Sequence, residues 1–571
     1  MNRKRTYIVT GFITLGFILA IFKLIDIQIL HKDKYIKYIK RQYFDKEVVM
    51  LPRGTILDRN NRFLAISIPT LKIFIRPKFI HLNRDERYRF ATDLSRLLKI
   101  PRYQILSKLN SHKRYLILAS NIDKSLKPKI EQLRKIYNIA ELGIIESSTR
   151  KYPFNEIAGS TIGYVRKSDG IGGAAMEYRL NDKLGGGLAE ILFLKDASRK
   201  PFTIEKEPRK NKIENAVLTI DTNIQYMAEQ ALKELIKERH PKEAAVLIMN
   251  PKTGEILANA TYPNYDPNIY WKFKNHKNVT FHNAYEIGSL AKPFILATAI
   301  QNNKIDLKQS IYCGNGKIKI DGVRIKDHKR YKYLTPAEIL IHSSNVGAIK
   351  VAMELDPDHI YKKFRELGFG EKTGIFPGES SGIFRPFKRR IDVAYSSIGQ
   401  SWTATPIQVA VAYSAIANGG YRIKPRLVKG FVDASGKYLE KTKTEVIDKV
   451  LDEKSVSWLK KVLTLVVEEG TARSGKSKYF TIAGKTGTAQ KYDPKIKALS
   501  NEKFYTWFAG FFPVSNPEFT IVVFANEPKK IRKWEQIGGG KVSSTVLNNL
   551  IERLMFYYRE KPDKNYLASD K

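Results

Sequence analysis

A proline near the start of a long apolar segment fixes where one helix of this chain must begin. The residues from Leu290 to Ile300 favour a helix, except for Pro293. Because proline has no N–H to donate, an α-helix tolerates it only in about its first four positions, where that donor has no partner within the helix. The helix is therefore predicted to begin at about Ser289 or Leu290. Ser289 would then lie at a helix N-terminus, with Lys292 on the same face.

A serine beside a lysine that can lose its proton is one form of activated nucleophile, but this spacing alone is weak evidence. The same Ser-x-x-Lys spacing begins at Ser457 and at Ser500. A known catalytic signature has Ser-x-x-Lys first, then a Ser-x-Asn-like triad, then Lys-Thr-Gly. The chain has one Ser-x-Asn, which begins at Ser343. Ser457 and Ser500 come after it, so the required order excludes both.

Lys-Thr-Gly occurs three times, and one occurrence suits the third motif best. Lys252 precedes the other motifs and lies between two strand-like segments, which indicates a hairpin turn. Lys372 lies in a loop punctuated by glycines, from 368 to 378. Lys485 ends the strand-like segment 479–484 and is therefore the preferred candidate.

In this order, the three motifs resemble those of the active site of class B penicillin-binding proteins. The resemblance extends over nearly the whole chain, and it implies a serine acyl-enzyme that needs no cofactor. It assigns catalytic roles to Ser289, Lys292, Ser343, Asn345 and Lys485, and substrate binding to Thr486, Gly487 and Thr488.

Each catalytic role has a physical reason. Ser289 must lose a proton to attack a carbonyl carbon, and Lys292 accepts that proton only when its amine is neutral. We expect burial, or a nearby positive charge such as that of Lys485, to lower the pKa of Lys292. Ser343 would pass a proton to the leaving amine, and Asn345 would hold both Lys292 and a substrate amide.

The third motif is predicted to bind the substrate. By the resemblance, the N–H groups of Ser289 and Thr488 form an oxyanion hole. Gly484 and Gly487 leave an edge strand bare, so an extended peptide would pair with it as an added strand. The Thr486 and Thr488 hydroxyls, together with the lysine of this motif, suit a terminal carboxylate.

The same residues also have a purely structural interpretation. Ser343 and Asn345 would cap a helix that begins at Val346, and residues 485–488 would form an ordinary strand end. The presence of all three motifs in the required order favours the catalytic interpretation.

The net charge limits the classes of partner. The 571 residues include 99 Lys and Arg against 57 Asp and Glu, a net charge of +42. Such an excess is typical of proteins that bind nucleic acid, anionic envelope polymers or membrane surfaces. The basic residues are spread along the whole chain without a recognised nucleic-acid motif, so we expect a solvated basic surface and no nucleic-acid partner. Cys313 is the only cysteine, which excludes an internal disulfide, and the nine histidines form no metal-ligand motif.

An apolar run from Tyr7 to Leu30 follows the basic residues 3–5. About twenty such residues span the hydrocarbon core of a bilayer as a helix. The basic N-terminus favours a cytoplasmic location for itself and an extracytoplasmic, or periplasmic, location for the catalytic part. A cleaved signal peptide is the alternative, but no Ala-x-Ala-like site follows the run. We therefore expect a single-pass anchor in the cytoplasmic (inner) membrane.

Two segments near the N-terminus resemble the non-catalytic module of class B proteins. Residues 48–65 are typical of a strand, a turn and a strand, and the second segment is the glycine-rich stretch 170–187. Their motif residues are Arg53, Gly54, Asp58, Arg59 and Glu177. The charged members are predicted to form a structural ion-pair network rather than a catalytic cluster, because no nucleophile accompanies them.

The order of the elements indicates an α+β fold. Two strand-like segments, 244–249 and 255–260, precede a mostly helical region that includes 336–341. Strand-like segments return only near the end of the chain, at 479–484, 505–512 and 519–526, which suggests a five-stranded antiparallel sheet flanked by helices. The resemblance identifies this part with the penicillin-binding transpeptidase fold, and the charged segment 206–212 is predicted to be a linker. We expect a cytoplasmic tail and anchor at 1–30, an elongated, dimerisation-like pedestal domain at 31–210, the transpeptidase domain at 211–560 and a C-terminal tail at 561–571.

The expected function is cross-linking of peptidoglycan stem peptides that end in D-Ala-D-Ala, with covalent binding of β-lactams. The alternatives are a D,D-carboxypeptidase, which passes the acyl group to water, and a β-lactam sensor. No deacylating base is evident, and only about five residues precede the anchor, which leaves little room for a cytoplasmic effector. A structural role in the wall-building complex remains open as a second role.

The region before the second motif bears on the cellular role. Residues 322–345 resemble the division type of class B enzyme, and the elongation type is the alternative. The resemblance also implies a polytopic glycosyltransferase partner of the shape, elongation, division and sporulation (SEDS) family, together with other division proteins in the membrane.

Overall fold

The computed structural model describes residues 3–35, 44–195, 201–206, 213–494 and 497–564. Its chain forms two compact units. The first comprises residues 1–53, 67–149 and 186–212, and the second comprises residues 54–66, 150–185 and 213–571. The predicted linker lies almost wholly outside the described residues.

The chain begins with the apolar helix that the sequence predicts. An α-helix, Arg3–Ile25, continues into a π-helical turn, Asp26–Leu30. Within the described residues, Tyr7–Leu30 is the one helix long and apolar enough to cross a membrane, and none of it is buried inside the protein. These properties are consistent with a single-pass membrane anchor.

In the first unit, three helices share a hydrophobic core with a β-sheet. Asn83 and Glu86 form a reciprocal capping box at the start of one helix, and Phe90 and Leu94 on its inner face are fully buried. The helices are Arg84–Leu98, Arg102–Leu109 and Lys127–Ile136, and the strands are Phe63–Ile75, Leu116–Asp123 and Leu142–Lys151. A second, antiparallel sheet contains Phe44–Met50, Leu188–Lys195 and Pro201–Lys206.

A five-stranded antiparallel sheet lies at the centre of the second unit, as predicted. Its strands in spatial order are Ile256–Tyr262, Glu243–Met249, Phe519–Asn526, Ala498–Phe512 and Ala483–Asp493. The middle strand is buried along its whole length, which explains why its sequence is a continuous apolar run rather than an alternating pattern. The strand Ala483–Asp493, called the edge strand below, lies at one side of the sheet.

Helices of the second unit complete the α+β fold. Two of them, Lys292–Gln301 and Pro406–Ala417, are buried around almost their whole circumference, as helices apolar on every side must be. The other longer helices are Thr222–Arg239, Pro336–Ile341, Asn345–Met353, Pro357–Glu366, Arg390–Ser397, Glu453–Glu468 and Leu550–Tyr557. Short helices occur at Gly159–Ile162, Ala175–Arg179, Asn181–Leu184 and Val279–His282.

Short strands between these helices were not predicted. The expectation that strands return only near the end of the chain is wrong, because two- to five-residue strands carry too little pattern to be recognised. They are Ile311–Tyr312, Lys317–Ile320, Val323–Lys326, Tyr333–Leu334, Tyr421–Ile423, Val428–Val432, Tyr438–Lys441 and Val446–Lys449. Asn215–Leu218 lies earlier in the unit, and Ile56–Leu57 falls within the strand, turn and strand predicted for residues 48–65. Cys313, directly after Ile311–Tyr312, is completely buried.

The start of the edge strand also differs from the prediction. The strand begins at Ala483, so Lys485 is its third residue and does not follow a strand end. Residues 479–482 are not a strand, because their N–H groups bond to side chains instead of a neighbouring strand. Phe480 donates to Ser477 Oγ, and Thr481 donates to Asp563 Oδ1.

Candidate active site

Ser289 lies in a tight turn that leads directly into the buried helix Lys292–Gln301. Residues Gly288–Ala291 form a 3₁₀ turn, and Pro293 lies in the first turn of the α-helix. The proline therefore marks the start of the helix, as predicted, although the α-helical part begins at Lys292 rather than at Ser289. The Ser289 side chain remains partly exposed.

Gly288 holds this turn against the backbone of the third motif. Its φ is +57°, and a Cβ added there would lie 2.6 Å from the Thr488 carbonyl oxygen, a distance that real Cβ atoms do not reach. On the other side of the turn, Trp507 Nε1 donates to the Glu286 carbonyl oxygen at 3.0 Å. These contacts fix the position of Ser289 beside the edge strand.

The Lys292 amine is completely buried and is held by the second motif. Its Nζ lies 2.6 Å from the Ser343 carbonyl oxygen, 2.8 Å from Asn345 Oδ1 and 3.3 Å from Ser343 Oγ. None of these acceptors is a carboxylate. The amine is therefore hydrogen-bonded in either protonation state, but these three contacts give it no counter-ion.

Ser344, the middle residue of the second motif, caps the helix Asn345–Met353. Its Oγ accepts the Gly347 N–H at 2.9 Å. The purely structural interpretation assigned this cap to Ser343 and Asn345, and in that respect it is wrong. Ser343 instead adopts a left-handed backbone conformation with φ +58°, and both flanking side chains contact Lys292.

Lys485 reaches the same serine from the edge strand. Its side chain is completely buried, and its Nζ donates to Ser343 Oγ at 2.9 Å. Ser343 Oγ is thus within hydrogen-bond distance of two lysine amines, since Lys292 Nζ lies 3.3 Å from it. One hydroxyl therefore links the helix of the first motif to the strand of the third.

Burial lowers the pKa of both lysines. It brings the pKa of Lys292 to about 7, against an opposing effect of the negative charge of Asp327. Burial, and next the charge of Lys292, hold the pKa of Lys485 well below its ordinary value. Of the two causes expected for Lys292, burial is thus the one that acts on it directly. Near neutral pH a substantial fraction of Lys292 carries the free amine that a general base needs.

Asp327 is the residue of this site that sequence reasoning missed. Its carboxylate accepts the backbone N–H groups of Asn345 and Val346, and the Ser344 hydroxyl donates to it at 2.7 Å. A carboxylate at the N-terminus of a helix also interacts favourably with the helix dipole. Asp327 therefore fixes the second motif. Only its place in a segment resembling division-type enzymes pointed to it, and no spacing rule connects it to a helix that begins at Asn345.

The two threonines of the third motif have different hydrogen-bond partners. Thr486 Oγ1 donates to Thr471 Oγ1 at 2.8 Å, and Thr488 Oγ1 accepts the Gly539 N–H at 3.0 Å. The Thr488 hydroxyl can therefore still donate its proton to a substrate. Thr486 donates its hydroxyl proton within the protein, and its role in binding a terminal carboxylate stays a prediction.

The glycines of the edge strand serve internal packing. A Cβ at Gly487 would lie 2.4 Å from the Ile287 carbonyl oxygen, and one at Gly484 would lie 2.4 Å from the Phe508 ring. We expected the missing side chains of these glycines to leave free space along the strand for a peptide, and this expectation is wrong. That space is occupied by the turn that carries Ser289 and by the neighbouring strand.

The competing motifs lie in places without a reactive arrangement. Lys252 is in a hairpin turn, and its amine pairs with Glu518 at 2.6 Å. Ser457 is exposed on a helix, and Ser500 Oγ accepts the N–H groups of two residues that follow it in the chain. The loop after Lys372 wraps around the carboxylate of Glu379.

The Glu379 carboxylate organises the second Lys-Thr-Gly. It accepts the backbone N–H groups of Thr373, Gly374, Ile375 and Phe376, as well as the Thr373 hydroxyl. Glu379 is almost completely buried. These contacts explain the tripeptide as loop structure, which agrees with its rejection as the third motif.

Two residues of the first N-terminal motif bond within the second unit. Thr222 Oγ1 donates to Asp58 Oδ2 at 2.7 Å, and Arg59 Nη2 lies 3.4 Å from Glu255 Oε2. A Cβ at Gly54 would lie 2.0 Å from a backbone carbonyl oxygen, so only glycine fits there. These contacts favour the structural role predicted for this motif.

Glu177 forms a buried ion pair. Its Oε1 accepts hydrogen bonds from Arg150 Nε at 2.7 Å and from the Tyr152 hydroxyl at 3.1 Å.

The remaining charged residue of these motifs, Arg53, lies in the first unit, where its backbone N–H donates to Ser67 Oγ at 3.0 Å. Within the described ranges, no group of three or more His, Cys, Asp or Glu is arranged to hold a metal ion.

Comparison with known families agrees with this geometry. Residues 244–552, more than half of the chain, match the penicillin binding protein transpeptidase domain. The chain belongs to this family. Residues 49–189 of this penicillin-binding protein match a second family model, the penicillin-binding protein dimerisation domain. The resemblance to class B penicillin-binding proteins is therefore confirmed.

Similar proteins cover almost the whole length of the chain. Stage V sporulation protein D of Bacillus subtilis is 28% identical over 579 residues, which is 99% of this chain and 87% of that protein. Peptidoglycan D,D-transpeptidase FtsI of Buchnera aphidicola is 29% identical over 99% of this chain and 98% of that protein. The crystal structure of penicillin binding protein 2X from Streptococcus thermophilus has a TM-score of 0.77 at 25% identity, over 90% of this chain and 80% of that one.

Proposed function

We propose that this penicillin-binding protein is a serine-type D,D-transpeptidase that cross-links peptidoglycan stem peptides ending in D-Ala-D-Ala. The observation that carries the proposal is the Ser343 hydroxyl, which lies 2.9 Å from Lys485 Nζ and 3.3 Å from Lys292 Nζ. A hydroxyl between two buried amines can accept one proton while it donates another. It therefore offers a path from the base that activates Ser289 to the group that leaves.

The first step forms an acyl-enzyme. Ser289 Oγ attacks the carbonyl carbon of the D-Ala-D-Ala bond and gives its proton to the neutral amine of Lys292. The N–H groups of Ser289 and Thr488 stabilise the negative charge that develops on the carbonyl oxygen. The C–N bond then breaks, and Ser343 passes a proton to the departing D-alanine amine. The shortened stem peptide remains attached to Ser289 as an ester.

The second step transfers the acyl group. The amine of a second stem peptide attacks the ester carbon, and its proton returns through Ser343 and Lys292 to Ser289 Oγ as the ester bond breaks. The products are a new amide cross-link and the original serine. Covalent inhibition by a β-lactam follows from the first step alone, because ring opening leaves no small amine to depart.

Lys485 and Thr488 are the groups that would bind the terminal carboxylate of the substrate. A carboxylate beside the buried Lys485 favours its charged form, which in turn disfavours a proton on Lys292. The Thr488 hydroxyl has a proton to donate, whereas Thr486 donates to Thr471. Substrate binding would thus help to produce the neutral base.

The same resemblance supports a place for the reaction in the cell. We assign the cytoplasmic tail and anchor to residues 1–30, a pedestal to 31–210 and the catalytic domain to 211–560, with the catalytic domain outside the cytoplasmic membrane. The segment that contains Asp327 resembles division-type enzymes, so the site of action is the division septum. A SEDS-family glycosyltransferase that produces the glycan strands is the partner in the membrane.

Mass spectrometry after incubation with penicillin tests the proposal. Penicillin should add one adduct to the peptide that contains Ser289 in the wild-type chain and none in Ser289→Ala. Ser457→Ala, which alters an exposed serine with the same spacing to a lysine, is the matched control and should be labelled normally. An adduct that persists in Ser289→Ala, or that maps to Ser457 or Ser500, would contradict the assignment.

A further inference from the structure

An exposed loop near the active site carries positive and aromatic groups but no acidic ones. This basic-aromatic loop (residues 529–534) follows the middle strand of the sheet, and every one of its residues is exposed. Trp534 and Ile531 are exposed by 73% and 56%. The loop consists of Lys529, Lys530, Ile531, Arg532, Lys533 and Trp534.

The base of the basic-aromatic loop is firmly attached to the second unit. The Arg239 guanidinium forms a nearly buried ion pair with Glu535 at 2.8 Å, and the Arg239 carbonyl oxygen accepts the Lys529 N–H at 2.6 Å. The Ile531 N–H donates to the same Glu535 carboxylate. Because its two ends share one anchor, the loop presents its side chains from a fixed position.

The chain leads from this loop to the third motif. The Gly539 N–H donates to Thr488 Oγ1, and a Cβ at Gly539 would lie 2.6 Å from the Gly487 carbonyl oxygen. Five residues of extended chain span at most about 18 Å, so Trp534 lies within about that distance of Gly539. The loop is therefore joined by a short connection to the residue that contacts the third motif.

We propose that the basic-aromatic loop binds the peptidoglycan strand whose stem peptide reacts at Ser289. This inference rests on the proposed function. Stem peptides carry several carboxylates, which complement four cations that lack an acidic neighbour within the loop. Sugar rings present C–H faces that pack against an indole, and Trp and Arg dominate binding energy in many interfaces. Arg532 lies 5.3 Å from the centre of the Trp534 ring, so charge and aromatic surface form one patch.

Co-sedimentation of the full-length chain, in detergent, with isolated peptidoglycan sacculi tests the proposal. We expect Trp534→Ala to weaken binding by about three- to tenfold, the loss of one aromatic contact. The double variant Lys530→Glu/Lys533→Glu should weaken binding further and reduce its dependence on salt. Trp271→Ala and Lys443→Glu/Lys454→Glu change exposed residues elsewhere in the second unit and should bind like the wild type.

Two further measurements separate the possible results. Acylation by penicillin should stay normal in every loop variant. If the wild-type chain itself is not acylated, the proposed function is contradicted, and the result says nothing about the role of the loop. Unchanged binding to sacculi in both loop variants would overturn the inference. Weaker binding to anionic phospholipid vesicles, with unchanged binding to sacculi, would also overturn it and assign the loop to the membrane surface.

Discussion

Two buried lysine amines share the hydroxyl of Ser343. Neither Lys292 nor Lys485 has a carboxylate among its described hydrogen-bond partners, so burial is not compensated by a direct ion pair. The nearest acid that acts on Lys292 is Asp327, whose carboxylate is itself bonded to the backbone of the second motif. The result is a buried amine whose pKa is lowered to about 7.

The rate of acylation should depend on pH through Lys292. Since only the neutral amine accepts the Ser289 proton, the second-order rate constant for a fluorescent penicillin should rise with pH around a midpoint near 7, the pKa of Lys292. The charge of Asp327 raises that pKa, so Asp327→Asn should move the midpoint to lower pH. His328 and Lys485 interact electrostatically with Lys292 as well, and both are unchanged in Asp327→Asn.

A matched control separates this charge effect from the loss of a helix cap. Asp356 caps the helix Pro357–Glu366 with its carboxylate, as Asp327 does for the second motif. Asp356→Asn should leave the midpoint unchanged. A midpoint that moves equally in both variants, or that does not move in Asp327→Asn, would show that the charge of Asp327 does not act on the base.

At the scale of elements, the contact between the Ser289 turn and the edge strand has no spare space. A Cβ added at Gly288 would lie 2.6 Å from a backbone carbonyl oxygen of the edge strand, and one added at Gly487 would lie 2.4 Å from a backbone carbonyl oxygen next to the turn. A carbonyl oxygen of the backbone cannot rotate away as a side chain does. The position of the Ser289 turn relative to the edge strand is therefore set by two residues without side chains.

Gly487→Ala should disturb this contact. The methyl group would push the edge strand away from the turn, which costs about 1–3 kcal/mol of stability. A displacement of about 1 Å in a catalytic group slows reaction by about a hundredfold, so acylation by penicillin should fall steeply. Gly538→Ala is the control, because its Cβ would meet only Thr488 Oγ1 at an ordinary 3.5 Å. Normal acylation by Gly487→Ala, measured beside its thermal midpoint, would contradict this explanation.

The same elements show which features the sequence could predict. The middle strand Phe519–Asn526 and the helix Pro336–Ile341 were predicted with their observed ends, because a continuous apolar run and a Thr-Pro start are local signals. The role of Asp327 was not predictable, since its partners lie in a separate helix. The start of the edge strand was also missed, because side chains such as Asp563 replace the neighbouring strand there.

At the scale of the whole molecule, the chain combines an apolar N-terminal helix, a unit without catalytic motifs and a unit that carries all three of them. The strand Phe63–Ile75 begins in the catalytic unit and ends in the other, so the two units are not simply successive in sequence. Local pattern could not predict this exchange. The domain boundary near residue 210 stays a prediction.

Depletion of the protein from cells tests the proposed place of action. If the enzyme cross-links peptidoglycan at the septum, cells that lose it should continue to elongate and form filaments with unconstricted septa. Microscopy during depletion, with the Ser289→Ala variant supplied as a control, measures the outcome and shows whether chemistry is required. Rounded cells with normal septa would assign the protein to elongation instead.

The single, buried cysteine makes this protein unusually easy to label at one chosen point. Cys313 is completely buried, and burial raises the pKa of its thiol, so it presents little reactive thiolate to solvent. A cysteine introduced at an exposed position becomes the only readily modified one, without removal of any native residue. Lys34→Cys, just past the apolar helix, would let a membrane-impermeant maleimide report which side of the bilayer that residue faces in intact cells.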